Sequence, residues 1–126
     1  MRGYAHGALR APAETTIGEA FALDTGHEPF RLPGTWLAAK ASLDMTTTLD
    51  LVSTADIVGG SSGSPMVDRA GDLVGLIFAD NDAGEAGAFG HDDADMRAVA
   101  VSMPAIRTAL TRIYHADRIM KEIDAK

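Results

Sequence analysis

The sequence contains no cysteine among its 126 residues. This absence excludes a disulfide framework, a thiolate metal site and a cysteine nucleophile, and it leaves the redox compartment undetermined. Basic side chains are also scarce, since 11 Lys and Arg stand against 18 Asp and Glu, for a formal net charge of −7. Binding to a nucleic-acid backbone needs a basic stripe, so the composition argues against a nucleic-acid partner.

Long apolar runs are missing as well. No stretch reaches the roughly 20 residues that span a bilayer, and the first 16 residues lack the apolar centre of a signal peptide. We therefore expect no membrane partner, and either a cytoplasmic protein or a sequence whose beginning is not that of the gene product. What the chain does have is 46% hydrophobic residues, enough for a buried core, and a length that fits one domain.

The chain divides into three segments by its sequence patterns. Residues 1–46 predict a covering segment with short helices, one of them over Ile17–Leu23 behind a pair of threonines that can cap it. Residues 47–102 contain the alternating and apolar runs that are typical of antiparallel strands. Residues 103–126 follow a possible cap, Ser102, and place apolar residues at helical spacing. The predicted fold is mainly β with a C-terminal α-helix.

Two local patterns lie within and after the strand region. The runs "PMVD" and "LVGLIFA" flank a glycine-containing turn and predict a hairpin. Between Asp80 and Asp95 there are six acidic residues and no Lys or Arg, a pattern typical of a mobile acidic loop. His91 and its acidic neighbours lack the regular spacing of metal ligands. We therefore expect no metal and no cofactor.

The run "GGSSGSP", residues 59–65, is the candidate catalytic motif. A serine is a weak nucleophile unless a base takes its proton and dipoles receive the charge that develops on the substrate carbonyl. Gly60 and Gly63 would allow a tight turn in which the N–H groups of Gly60 and Ser62 converge as an oxyanion hole. In that arrangement Ser62 carries the reactive hydroxyl, and Pro65 sets the direction of the next strand.

Other interpretations of this motif need different neighbours. Glycine- and serine-rich turns between strands are common, so the motif alone is weak evidence. A phosphate-binding loop needs a lysine and a helix directly after the glycines, and a G-x-S-x-G nucleophile elbow also needs a following helix. Here "PMV" predicts a strand, which excludes both.

Three ordered blocks give a more specific signal than the motif alone. They are "PFRLPGTWLAAKASLD", "LDLVSTADIVGGSSGSPMVDRAGDLVGLIFADN" and "MRAVAVSMPAIRTALTRI" with the later "RIMKEI". Together, from about Pro29 onward, they resemble the C-terminal end of bacterial serine dipeptidyl-peptidases of the dipeptidyl-peptidase 7 and 11 type. The resemblance implies part of a chymotrypsin-like antiparallel β-barrel plus an α-helix, peptide substrates with a free N-terminus, and a periplasmic or secreted enzyme. It also leaves room for a homodimer of the full-length form.

The resemblance also implies roles for individual residues. Ser62 is the nucleophile, and the amides of Gly60 and Ser62 hold the oxyanion. The family reads Phe-Asp-Gly-Asn or Phe-Asp-Arg-Asn where this chain reads "FADN", so the aspartate that helps hold the substrate α-amine is replaced by Ala79. The next position helps set the residue preferred before the cut, Gly with apolar and Arg with acidic side chains. Asp80 and Asn81 are thus candidate substrate-binding residues, and Asp80 either selects basic side chains or holds the α-amine instead.

A serine triad also needs a histidine base and an acid that orients it. None of the four histidines, His6, His27, His91 and His115, has the sequence setting of the family's base. In the family, both the histidine and the aspartate lie far upstream of the serine. We therefore expect a fragment that is inactive without a missing N-terminal part. Two alternatives remain: a chymotrypsin-like endopeptidase fragment, which Ala79 favours, and a non-catalytic β-rich binding module, which the missing base favours.

Overall fold

The computed structural model describes residues 4–6, 9–11, 13–81 and 96–125. Most of the predicted acidic loop, with its His91 cluster, lies outside these residues. Within the described ranges, no helix is long and apolar enough to cross a membrane. The same ranges contain no group of three or more side chains that could hold a metal ion.

The described chain consists of short strands and short helices. The strands are β1 (Tyr4–His6), β2 (Leu9–Ala11), β3 (Glu14–Thr16), β4 (Thr48–Ser53), β5 (Pro65–Val67), β6 (Leu73–Asp80) and β7 (Ala98–Ser102). The helices are α1 (Ile17–Leu23), α2 (Gly34–Ala39), α3 (Met103–Thr108) and α4 (Asp117–Asp124), with a 3₁₀ turn at Lys40–Ser42 and a π-helical turn at Ala109–Ile113. The predicted class, mainly antiparallel β with a C-terminal helix, is confirmed.

A five-stranded sheet forms the centre of the molecule. Its order is β3-β4-β7-β6-β5, and every neighbouring pair is antiparallel. The predicted hairpin is confirmed as β5 and β6, with Gly71 in the turn at φ 86°. Leu51, Met66, Ile77 and Ala100, from four adjacent strands, form a buried apolar cluster on the sheet. The hairpin that follows the serine motif is therefore anchored in the core.

Helix α1 begins at the threonine pair that the sequence predicted as its cap. Thr16 accepts a hydrogen bond from the Glu19 amide at 3.2 Å, and the Glu19 carboxylate accepts one from the Thr16 amide at 2.7 Å. This reciprocal arrangement satisfies two N–H groups that a helix end otherwise leaves free. Ile17, fully buried, packs with Leu43 and Ile113 in a second apolar cluster that joins α1 to the C-terminal segment.

The chain after Ser102 forms two helices with a break between them. Ser102 caps α3 by accepting the Ala105 amide at 3.1 Å, as its position predicted. The helical path ends at His115, which has φ 49°, a left-handed conformation that a continuing helix cannot contain. Arg107 and Asp124 form an ion pair at 2.6 Å, although a straight helix would separate them by about 25 Å. The break therefore folds α4 back against α3.

Candidate active site

The glycine- and serine-rich motif folds as a defined turn between β4 and β5. The Ser61 amide donates to the Val58 carbonyl at 3.0 Å, and the Ser61 hydroxyl accepts from the Val58 amide at 3.2 Å. The Ser64 amide donates to the Ser61 carbonyl at 3.0 Å. Gly60 and Gly63 have φ values of 98° and 87°, in the region that favours glycine. The two glycines that the sequence singled out are thus required by the backbone.

Strand β6 fixes the end of this turn. The Gly63 amide donates to the Ile77 carbonyl at 2.7 Å, and the Ile77 amide donates to the Ser64 carbonyl at 3.0 Å. Ser62 lies on the exposed side of the turn, and its hydroxyl donates to the Phe78 carbonyl at 3.4 Å. Because Ile77 belongs to the buried cluster, the position of the Ser62 hydroxyl is tied to the core of the sheet.

Several N–H groups of the turn have no acceptor among the residues that the structure describes. They are those of Gly59, Gly60 and Ser62. Gly60 and Ser62 are also exposed residues. N–H groups near a reactive hydroxyl are what an oxyanion hole requires, because they stabilise the charge that develops on a carbonyl oxygen.

A β-bulge in β6 lies directly beside the serine. Ile77 pairs with Ala100 and Ala79 pairs with Val99, so Phe78 has no position opposite it in β7. Such an extra residue bends a strand and redirects its neighbours. The residue left out of the register is the one whose carbonyl contacts the Ser62 hydroxyl. The bulge therefore brings the backbone of β6 to the candidate nucleophile.

Beyond the bulge, the pairing of β6 with β7 is regular again. Ala79 lies opposite Val99 and Asp80 lies opposite Ala98. Adjacent residues in a regular strand point to opposite faces of the sheet, so the side chains of Ala79 and Asp80 do not share a face. Both are half-buried. The bulge precedes this pair, and it does not shift Asp80 onto the face of Ala79.

Asn81 directly follows β6 and is buried, with 6% of its surface exposed. Its amide donates to the Arg97 carbonyl at 3.1 Å, and its side-chain Oδ1 accepts from the Arg97 amide at 2.9 Å. Asn81 was predicted, with Asp80, to bind substrate. In the structure, the side-chain oxygen of Asn81 is hydrogen-bonded to the backbone of Arg97.

No histidine lies within hydrogen-bonding distance of Ser62 in the described residues. The histidines whose side chains are described there are His27 and His115, and both are exposed. The hydrogen-bond partner that the described structure gives the Ser62 hydroxyl is the Phe78 carbonyl. The described residues thus provide a hydroxyl and free amides, and the base of a triad is not among the contacts of that hydroxyl.

The fold is similar to that of solved structures of DPP11. DPP11 of Porphyromonas endodontalis in complex with the dipeptide Arg-Asp superposes with a TM-score of 0.87 at 18% identity, covering 99% of this chain and 19% of that chain. DPP11 in complex with substrate gives a TM-score of 0.85 at 18% identity, covering 99% of this chain and 20% of that chain. At this identity the comparison establishes a shared fold.

Sequence comparison identifies the family. An Asp/Glu-specific dipeptidyl-peptidase of Shewanella putrefaciens is 33% identical over 76 residues, which are 60% of this chain and 10% of that protein. The Peptidase S46 family model matches residues 1–125. The chain therefore belongs to the peptidase S46 family, and the resemblance to dipeptidyl-peptidases inferred from the sequence is confirmed. The chain spans about a tenth of the length of the curated relative and about a fifth of the length of the proteins in the solved structures.

Proposed function

We propose that this chain supplies the nucleophile and the oxyanion hole of a serine dipeptidyl-peptidase, which releases dipeptides from the free N-termini of peptides. The observation that carries the proposal is the exposed Ser62 hydroxyl beside the N–H groups of Gly60 and Ser62, which have no acceptor within the described residues. Family membership and the names of the similar proteins support the dipeptidyl-peptidase class.

The proposed reaction begins with attack by the Ser62 Oγ on the carbonyl carbon of the second substrate residue. The hydroxyl proton passes to a base outside the residues described, and the amides of Gly60 and Ser62 stabilise the negative charge on the carbonyl oxygen. Collapse of the tetrahedral intermediate breaks the C–N bond, and the departing amine takes the proton from the base. Water then hydrolyses the dipeptidyl ester and regenerates Ser62.

The substrate test compares free and blocked N-termini. For the protein that contains this chain, we expect cleavage of a peptide after its second residue, with the free dipeptide detected by mass spectrometry. N-acetylation of the same peptide should lower kcat/KM by at least about 100-fold, because binding of the α-amine would be lost and an uncharged blocked terminus cannot replace it. Equal cleavage of both peptides would favour the endopeptidase that the loss of an aspartate at Ala79 suggests.

Activity of the isolated chain is a second test. We expect residues 1–126 alone to hydrolyse dipeptidyl chromogenic substrates at least about 10³-fold more slowly than the protein that contains them, because triad members act as a unit. Circular dichroism of the purified chain provides the control that it is folded. Turnover by the folded chain that disappears in Ser62→Ala would show that the chain contains its own base.

A further inference from the structure

Directly beyond the last β6–β7 pair, Asp80 with Ala98, a side chain takes the place of a backbone carbonyl. In a hydrogen-bonded antiparallel pair, the two residues exchange N–H···O=C bonds in both directions. The Asn81 amide donates to the Arg97 carbonyl at 3.1 Å, as in a regular ladder. The Arg97 amide, however, donates to the side-chain Oδ1 of Asn81 at 2.9 Å. The side chain of Asn81 therefore replaces its own carbonyl.

The Asn81 side chain thus supplies the acceptor for the Arg97 amide at this position. Both Asn81 and Arg97 are 6% exposed, so an N–H group of Arg97 without an acceptor would be costly. Asp80 is the residue directly before Asn81 in the chain. Phe78 lies three residues before Asn81, and its carbonyl contacts the Ser62 hydroxyl. The two Asn81 bonds thus fix the end of the strand segment that runs from the serine contact to Asp80.

We propose that Asn81 is a positioning residue of the active site, which holds the backbone of Asp80 by bonding to the backbone of Arg97. This inference rests on the proposed function and on one of the two roles that the sequence leaves open for Asp80, the role beside the substrate side chain that precedes the cut. Asn81 acts on the substrate through Asp80 and not by contact. Its loss should therefore change how substrates are discriminated, while the reactivity of Ser62 remains.

The test uses Asn81→Ala and Asn81→Ser in the protein that contains this chain. The readouts are the ratio of kcat/KM for substrates with basic and with acidic residues before the cut, and the rate at which a small sulfonyl fluoride labels Ser62. In Asn81→Ala we expect the ratio to move toward one by about 10- to 100-fold, since small displacements of a binding group have effects of this size. The change should fall mainly on KM, and the labelling rate should stay within about twofold of the parent.

Arg97→Lys is the matched control. It changes a second buried side chain next to the β6–β7 pair, but it keeps the positive charge and the backbone groups that Asn81 binds. We expect Arg97→Lys to retain the parental ratio. Asn81→Ser keeps an uncharged oxygen at this position, and it should fall between the parent and Asn81→Ala. If Asn81→Ala does not fold, the ratio of Asn81→Ser decides in the same way.

The outcomes separate this inference from the proposed function. Failure of the parent protein to be labelled at Ser62 would refute the proposed nucleophile. Normal labelling with the parental ratio retained in the Asn81 variants would overturn the positioning role alone. If the Asn81 variants lose activity equally on all substrates and also lose labelling, Asn81 is a merely structural residue and the positioning role is overturned. A parent protein that does not discriminate between the substrates would overturn the positioning role as well.

Discussion

Ser62→Ala is expected to lower kcat of the protein that contains this chain by about 10³- to 10⁶-fold, the range seen when a serine nucleophile is removed. The hydroxyl is the atom that would form the acyl-enzyme, so no neighbouring group can replace it. KM should change little, because the side chain is exposed and its described hydrogen bond, to the Phe78 carbonyl, is long at 3.4 Å. Steady-state kinetics with a dipeptidyl substrate measure both constants.

Two controls accompany this variant. Ser64→Ala changes another serine of the motif, whose carbonyl accepts from the Ile77 amide and would do so in alanine as well. We expect its kcat to stay within about threefold of the parent, since the backbone hydrogen bonds that hold the turn do not need the Ser64 hydroxyl. The unfolding free energy of Ser62→Ala should stay within about 0.5 kcal/mol of the parent. A Ser62→Ala enzyme with more than a tenth of parental kcat would place the nucleophile elsewhere.

The turn and the hairpin could be predicted from the sequence because glycine marks their special conformations. Gly60, Gly63 and Gly71 all have positive φ, and each lies where the sequence pattern placed a tight turn. A positive φ is energetically costly for other residues, so each of these glycines by itself indicates a turn in the backbone. Ser102 was equally informative as a cap, since its side chain competes for the first free amides of the helix.

The bulge at Phe78 and the bonds of Asn81 could not be predicted from the sequence. A bulge of this kind depends on the register between two strands, and no glycine marks it here. Asn81 and Arg97 are 16 residues apart, and asparagine is equally typical of an exposed turn. The sequence therefore predicted a nucleophile at Ser62. The contacts that place β6 beside Ser62 depend on the pairing of strands that are distant in the sequence, and so they could be found only in the structure.

The same register bears on the two roles that the sequence left open for Asp80. Taking over the α-amine from an aspartate at position 79 would need a carboxylate on the face of Ala79. Regular pairing after the bulge places Ala79 and Asp80 on opposite faces. This arrangement favours the role beside the side chain that precedes the cut, where a half-buried carboxylate attracts Lys or Arg and repels Asp or Glu.

Asp80→Arg is therefore expected to invert the substrate preference of the protein that contains this chain. Like charges brought together at a binding surface cost several kcal/mol, and each 1.4 kcal/mol is tenfold, so the kcat/KM ratio of basic to acidic substrates should fall by about 10²- to 10³-fold. Asp80→Gly should move the preference toward apolar residues and retain the need for a free N-terminus. Paired dipeptidyl substrates that differ only before the cut measure these ratios.

Asp72→Arg supplies the matched control, because it makes the same charge change at an exposed position just before β6. Both variants change the net charge of the protein equally, and the long-range effect of net charge is weak because ordinary buffer screens it beyond about 10 Å. A contact with the substrate in the pocket is changed only in Asp80→Arg. A similar change of preference in Asp72→Arg would attribute the effect to net charge. Loss of cleavage of every substrate in Asp80→Gly, together with loss of affinity for the free amine, would assign Asp80 to the α-amine and reject the pocket role.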